Sequence, residues 1–416
     1  MRVWLKIAWR NILRNKRRSG LTIFGIAAST AALFFFLSLN NGFNIQMVKA
    51  TTDLYLSHLA IQPEGFQQKI EVEKRFRLTP EVRAAIASLP GYSHTIERVK
   101  FTSFISSTRN NTGVLVVGVD PAETRARTVL PESVKEGTFL AEEGERTPSI
   151  VIGRELAETL SVGLGDKVVL MNQAADGSLA NDLYRVRGIT RTGMPSLDKN
   201  VVYIPIREAR EFVVYDPDEV SEAAIFVASA EDAAAARDLL REKLRGLDAG
   251  KPVEVLSWQE LAPEIQQMVE MNDFFNYITV AIIFFVVTVG VMNTLLMAVF
   301  ERTRELGVMM AIGTKPVHVV GVVLLESFLL GSVALLVGDA LGYAITSHYG
   351  RVGIDFAQWE EGLASFLGSA TTVHPAILPK MVAQLTFGVF LVAMLSALWP
   401  AARAARLRPV EAIRNL

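Results

Sequence analysis

Four apolar runs, unevenly spaced, organise the chain. Ser19 to Val48, Phe274 to Phe300 and Met381 to Ala402 carry no charged side chain. Each is long enough to supply the ~20 residues that cross a ~30 Å hydrocarbon core. Another run, Val317 to Thr346, is equally apolar but holds Glu326 and Asp339. About 230 residues of mixed polarity separate the first run from the other three. The pattern predicts an α+β membrane protein: four transmembrane helices plus a large mixed α/β extracytoplasmic domain inserted between helices 1 and 2. The expected segments are an amphipathic cytoplasmic elbow helix at 1–19, a first span at 20–43 and the exported domain with its stalk at 44–273. A second span at 274–300, a cytoplasmic loop at 301–316 and a third span at 317–347 follow. An outer loop at 348–381, a fourth span at 382–402 and a cytoplasmic tail at 403–416 complete the chain.

Charge assigns the sides. Arg2, Lys6, Arg10, Arg14, Lys16, Arg17 and Arg18 precede the first span, and no acidic residue occurs before Asp53. Basic flanks stay cytoplasmic. Arg403, Arg406, Arg408 and Arg414 mark the far end as cytoplasmic too, whereas the loop between spans three and four has Arg351 and Lys380 against Asp355, Glu360 and Glu361. A cleaved signal peptide is the competing reading of residues 1–43. The run is long and Leu37-Ser38-Leu39-Asn40 offers no small-x-small cleavage site, which favours an uncleaved span. The net charge of −1 thus conceals a basic cytoplasmic face, which points to anionic membrane lipid and not to nucleic acid. With no cysteine, the exported domain must be held by its core rather than by disulfides.

Within 44–273 the periodicity alternates between two and 3.6. Thr79-Pro80-Glu81 opens a helix that Pro90-Gly91 closes. Strands are predicted at Val99 to Ser107 and Val114 to Val119, joined by an Asn110-Asn111-Thr112-Gly113 turn, then at Ile150 to Ile152, Val168 to Asn172, Tyr184 to Thr190 and Val201 to Ile204. A helix at Glu155 to Leu160 and a turn at Gly163-Leu164-Gly165-Asp166 lie between them. Ala223 to Ala228 reads as a strand, Glu231 to Leu247 as a helix and Val253 to Leu256 as a last strand. The arrangement implies two subdomains, one split around an inserted sheet. After Pro263 no clear breaker interrupts the approach to Phe274. One helix is therefore expected to run into the second span, with Asn44 to Tyr55 as its partner in a stiff stalk.

Catalytic chemistry is not visible. His58, His94, His318, His348 and His374 lack metal-ligand spacing, and no Gly-x-Ser-x-Gly or His-Glu-x-x-His motif occurs. Gly313-Thr314-Lys315 is superficially like the end of a phosphate loop, but no glycine stands five residues earlier and Pro316 follows. The chain is expected to bind neither ATP nor metal and to hold no cofactor. The loop after the second span is more specific. Glu301-Arg302-Thr303-Arg304-Glu305-Leu306-Gly307 continues through Val308-Met309-Met310-Ala311-Ile312-Gly313, a charged start and an apolar end closed by a left-handed glycine before Pro316. A solvated turn does not need Val308, Met309, Met310 and Ile312; a partner or the membrane surface must cover them.

This loop, with Asn293-Thr294-Leu295-Leu296 before it and the terminal stretch from Pro400 to Arg414, resembles the FtsX-like family of ABC transporter permeases. Gly118-Val119-Asp120-Pro121, Val151 to Ala157 and Leu164-Gly165-Asp166 resemble that family's MacB-like periplasmic domain. The similarity covers nearly the whole chain and is closest to the lipoprotein-releasing LolC/LolE type. It implies a permease in the bacterial inner membrane that pairs with a second permease, the same or a related chain, and with a dimer of a separate ABC ATPase that carries ATP and Mg. In such a system the loop is a coupling helix. Glu301, Arg302, Arg304, Glu305, Leu306, Gly307, Met310, Ile312 and Gly313 are then the candidate ATPase-coupling residues, with Gly307 allowing close approach of the partner's backbone. The expected work is extraction of lipoproteins from the inner membrane and delivery to a periplasmic carrier. The hairpin Met171 to Leu183 carries Asp176-Gly177 and no proline where the lipoprotein-releasing type has its proline-containing carrier-binding hook. An efflux or peptide-export permease, or an FtsX-like regulator of a cell-wall hydrolase, is the alternative.

Phe34, Phe35 and Phe36 are candidate acyl-chain contacts or ordinary bundle packing. Gly338-x-x-x-Gly342 permits close helix contact. Glu326, some 14 Å into its span, is expected to face the bundle interior; Asp339, about 220° further around the helix, need not share its role.

Overall fold

The computed structural model describes residues 8, 10, 12, 14, 16–141, 147–356 and 372–406. The helices are α1 (Lys16–Leu54), α2 (Pro80–Ala87), α3 (Pro121–Arg127), α4 (Arg154–Leu160), α5 (Pro195–Asn200), α6 (Ile206–Val213), α7 (Ala233–Leu244), α8 (Trp258–Leu261), α9 (Pro263–Glu301), α10 (Thr303–Ala311), α11 (Pro316–Val352) and α12 (Pro379–Ala405). The principal strands are β1 (Leu59–Pro63), β2 (Phe76–Arg77), β3 (Tyr92–Ser106), β4 (Asn111–Val119), β5 (Val134–Gly137), β6 (Ser149–Gly153), β7 (Lys167–Gln173), β8 (Leu179–Thr190), β9 (Val201–Pro205), β10 (Glu219–Val220), β11 (Glu222–Val227) and β12 (Val253–Ser257). Most of the expected elbow helix, Trp4 to Leu13, and the tail beyond Arg406 lie outside the described residues.

Two compact units result, one built around Ile45–Met268 and the other from the helical segments before and after it. Among the described residues four helices, α1, α9, α11 and α12, are long and apolar enough to cross a membrane. They share a core of Ile26, Leu33 and Phe34 from α1, Val287, Val291 and Leu295 from α9, Ala334 and Leu335 from α11, and Leu385, Val389 and Ala397 from α12. The Gly338-x-x-x-Gly342 pair makes the tightest crossing. A Cβ on Gly338 would lie 2.7 Å from the Thr30 Cβ and 2.9 Å from the Ala27 carbonyl oxygen, and one on Gly342 2.7 Å from the Phe34 Cβ. Only the absent side chains let α11 and α1 come this close. Helices α1 and α9 continue without a break past Asn44 and Met268, where the chain passes between the units.

In the other unit ten strands form one mixed sheet in the order β12-β1-β11-β3-β4-β9-β6-β8-β5, with β7 pairing β3 and β8. Pairing is parallel between β4 and β9 and between β6 and β8, and antiparallel elsewhere. The expectation of two subdomains gives way to two cores on a continuous sheet. One core packs α4 and α6 on Val99, Phe101, Val116, Ile150 and Val202; the other packs α2 and α7 on Leu59, Ile61, Ala223 and Ile225. Strand β3 unites them because it is 15 residues long, pairing β11 near its start and β7 near its end. The β3–β4 turn also falls earlier than expected, at Ser107 to Asn110. The Ser107 hydroxyl accepts from the Arg109 and Asn110 amides, and this closes the chain reversal before Asn111. Thr112 and Gly113 are thereby released to pair with Ile105 and Phe104 in the ladder.

Candidate functional site

Helix α10 splits the candidate coupling residues between two faces. Glu301, Arg304, Glu305, Val308, Ala311, Ile312 and Gly313 are exposed, while Arg302, Leu306 and Gly307 are buried and Met309 and Met310 partly so. The spacing explains the division, since 304, 308, 311 and 312 lie on one side of a 3.6-residue repeat. Leu306, Met309 and Met310 pack with Val299, Val319, Val323, Ala401 and Ala404, a small core at one end of the bundle. Gly307 is buried, and Arg304, Val308 and Ile312 form the exposed side of the helix. Gly313 adopts φ +99°, its amide donates to the Met310 carbonyl, and the Thr314 amide donates to that of Met309. This double closure ends α10 and turns the chain into α11, where Pro316 occupies the first turn.

Arg302 does not present its charge outward. Its Nη1 donates to Glu326 Oε2 at 3.0 Å, with both side chains below 10% exposed. The pair ties the start of α10 to the body of α11 and borders a cavity of about 100 Å³ that Leu295, Leu306 and Val322 also line. Glu326 is thus on the bundle interior, and its partner comes from the loop. A numerical signal for it existed: positions 302 and 326 are equidistant from Thr314, so a helical hairpin bent at Gly313 and Thr314 sets them opposite each other. Glu305 makes an exposed 2.7 Å ion pair with Arg14, of the kind worth ~0–1 kcal/mol. Arg403 lies over the rings of Phe300 and Trp399, 5.1 and 5.5 Å from their centroids.

Elsewhere in the bundle, Asp339 accepts a 2.9 Å hydrogen bond from Thr386 and is well apart in sequence and partner from the Arg302 pair. Phe34 is buried beneath Gly342, Phe36 packs against the bundle core, and Phe35 meets Tyr349 edge-on with centroids 5.7 Å apart. Phe34 therefore serves helix packing, and Phe35 and Phe36 stay half-buried.

A MacB-like periplasmic core domain is matched over residues 19–243, and an FtsX-like permease C-terminal region over residues 277–409. The chain belongs to the FtsX-like ABC transporter permeases. It is 24% identical to the lipoprotein-releasing system transmembrane protein LolC of Neisseria meningitidis, over 100% of this chain and 99% of that protein. It is likewise 24% identical to LolE of Haemophilus influenzae, over 98% of each chain. The macrolide export ATP-binding/permease protein MacB of Marinobacter nauticus is also 24% identical, over 99% of this chain but 60% of MacB. This FtsX-like permease is therefore a multi-pass membrane protein with a MacB-like extracytoplasmic domain, and α10 occupies the loop between its second and third spans.

Sequence reasoning missed a second polar assembly, in the exported unit. Arg98 and Lys100 on β3 both reach Glu222 on β11, at 3.0 and 2.7 Å, and Gln62 on β1 donates to the same carboxylate. All four side chains are buried. Burial alone would raise the Glu222 carboxyl, but Lys100 and Arg98 outweigh it and hold the group down at about 2. Burial also pushes the Lys100 ammonium below its usual range, in spite of Glu222. The signal was present as charges at i and i+2, the period that puts both on one face of a strand. It was overlooked because the predicted strand began at Val99.

Proposed function

We propose that this FtsX-like permease couples ATP hydrolysis by a separate ABC ATPase dimer to mechanical work outside the membrane, and that the work is lipoprotein extraction from the inner membrane. ATP and Mg sit on the ATPase. The observation that carries the reading is the end-to-end correspondence with LolC and LolE, 98–100% of this chain against 98–99% of theirs. With MacB the correspondence spans 60% of the relative's length. The outward Arg304, Val308 and Ile312 face of α10 supplies the docking surface for the ATPase. Arg302 and Glu326 pass its displacement to α11, and α1 and α9 carry movement outward as unbroken helices. A second permease, identical or related, completes the assembly, and a periplasmic carrier accepts the cargo.

The test is purification of the native complex, followed by reconstitution in lipid vesicles with a triacylated lipoprotein. Co-purification of an ATPase and ATP-dependent lipoprotein release are expected. Turnover stimulated only by small amphiphiles would favour the efflux reading, and activation of a cell-wall hydrolase with no cargo moved would favour the regulator.

A further inference from the structure

A cavity of about 580 Å³ opens within the exported unit, and it lies within the ~300–1,000 Å³ typical of ligand sites. Leu56, Phe66, Ile70, Met194, Leu197 and Ile265 form the apolar part of its mixed lining. Lys100, Glu222 and Gln62 also line it, so the buried ionic assembly forms part of its polar surface. Two cations share one carboxylate there. Arg98 and Lys100 contribute two positive charges and Glu222 a single negative one, which leaves an excess cation buried where an uncompensated charge is costly. The Tyr55 ring, 5.2 Å from the Lys100 ammonium, softens this without neutralising it. Glu264 also lines the cavity, but it is exposed to water, where its charge is screened. Gln62 adds an independent signal: its Oε1 is buried and meets no hydrogen-bond donor among the described residues, while its Nε2 is held by Glu222. An acceptor in that position calls for a donor from a ligand.

We infer that this cavity binds an amphiphile whose anionic head group meets Lys100, whose amide or hydroxyl donor meets Gln62 Oε1, and whose acyl chain fills the apolar part. A purely structural ion network would be expected to balance its charges and satisfy its amide. Here both deficits border the same cavity. The inference holds whichever cargo the transporter moves, because it rests on the cavity and its charges alone.

The test uses the full chain in amphipol and a diazirine-bearing N-dodecanoylglycine as photoprobe, with labelled peptides mapped by mass spectrometry. Labelling is expected within Thr51–Ile70 and Met194–Leu197. Lys100→Met should reduce it about tenfold or more, the scale of losing one buried charge-assisted hydrogen bond. Ile70→Trp, which fills the cavity and leaves all four polar residues in place, should do the same, so misfolding of the first variant does not decide the matter. N-dodecanoylsarcosine, which lacks the amide N–H, should compete less well than the glycine compound, and dodecanol hardly at all. Labelling of Ile70→Trp at the wild-type level, mapping to other peptides, or equal competition by dodecanol would overturn the proposal. Displacement of the probe by inorganic phosphate at matched concentration would also overturn it, in favour of a free-anion site.

Discussion

Removing Glu326 takes away the carboxylate that the buried Arg302 guanidinium meets at 3.0 Å, and the loss of one member of such a pair costs about 3–5 kcal/mol. Glu326→Leu should therefore lower the thermal midpoint of the detergent-solubilised permease strongly, whereas Glu326→Gln, which keeps an acceptor for Arg302, should lower it less. The double variant Arg302→Met with Glu326→Leu removes both charges and should recover most of the loss. Additive destabilisation in the double variant would show that the two side chains do not depend on each other. In the exported unit the Glu222 carboxyl is held at about 2, below its ordinary 4.5. A depressed carboxyl contributes stability that is fully present above 4.5 and disappears as pH falls toward 2. Unfolding followed by fluorescence should thus become easier across that window, and Glu222→Gln should flatten the slope by up to one proton. The intramembrane glutamate was legible because a charge in an apolar run must turn inward. Its partner was not, because Arg302 is one of several charges in a row, and only the hairpin's bend selects it.

Helix α10 was legible as a unit from Gly313 and Pro316, but which residues face outward depends on what the bundle takes for itself. Leu306, Met309 and Met310 go to the core around Val299 and Val323 and leave Val308 and Ile312 outside. Val308→Asp and Ile312→Asp should accordingly weaken co-purification of the ATPase or uncouple its turnover while the permease stays folded. Gly307, which faces inward, tests packing instead. Wild-type assembly and coupling in both aspartate variants would mean that α10 is only a turn between spans. The α1–α11 crossing makes the contrasting case, in which sequence spacing announces the possibility of contact and only packing reveals the partner. Gly338→Leu would drive a side chain into Thr30 and the Ala27 backbone, at a cost of at least about 1–3 kcal/mol. Gly290→Leu, at a glycine with nothing within 4 Å of an added Cβ, should cost far less in the same melting experiment.

At the scale of the molecule, hydropathy located the four apolar helices because a bilayer imposes a length that no soluble helix needs. The sheet order was less accessible. β9 lies between β4 and β6 although about 80 residues separate it from β4 in sequence, and nothing local encodes that pairing. The expected orientation rests on charge: with seven basic residues ahead of the first span and four after the last, both ends are expected on the cytoplasmic side. The absence of cysteine makes this directly testable, since single cysteines can be introduced without background. Asp176 sits in the exposed β7–β8 hairpin, and Arg304 on the outward face of α10. Asp176→Cys should react with a membrane-impermeant maleimide applied to intact cells whose outer barrier has been opened. Arg304→Cys should react only after the inner membrane is permeabilised. Reaction of both from the same side would contradict the four-span topology and, with it, the assignment of α10 as the element that an ATPase engages.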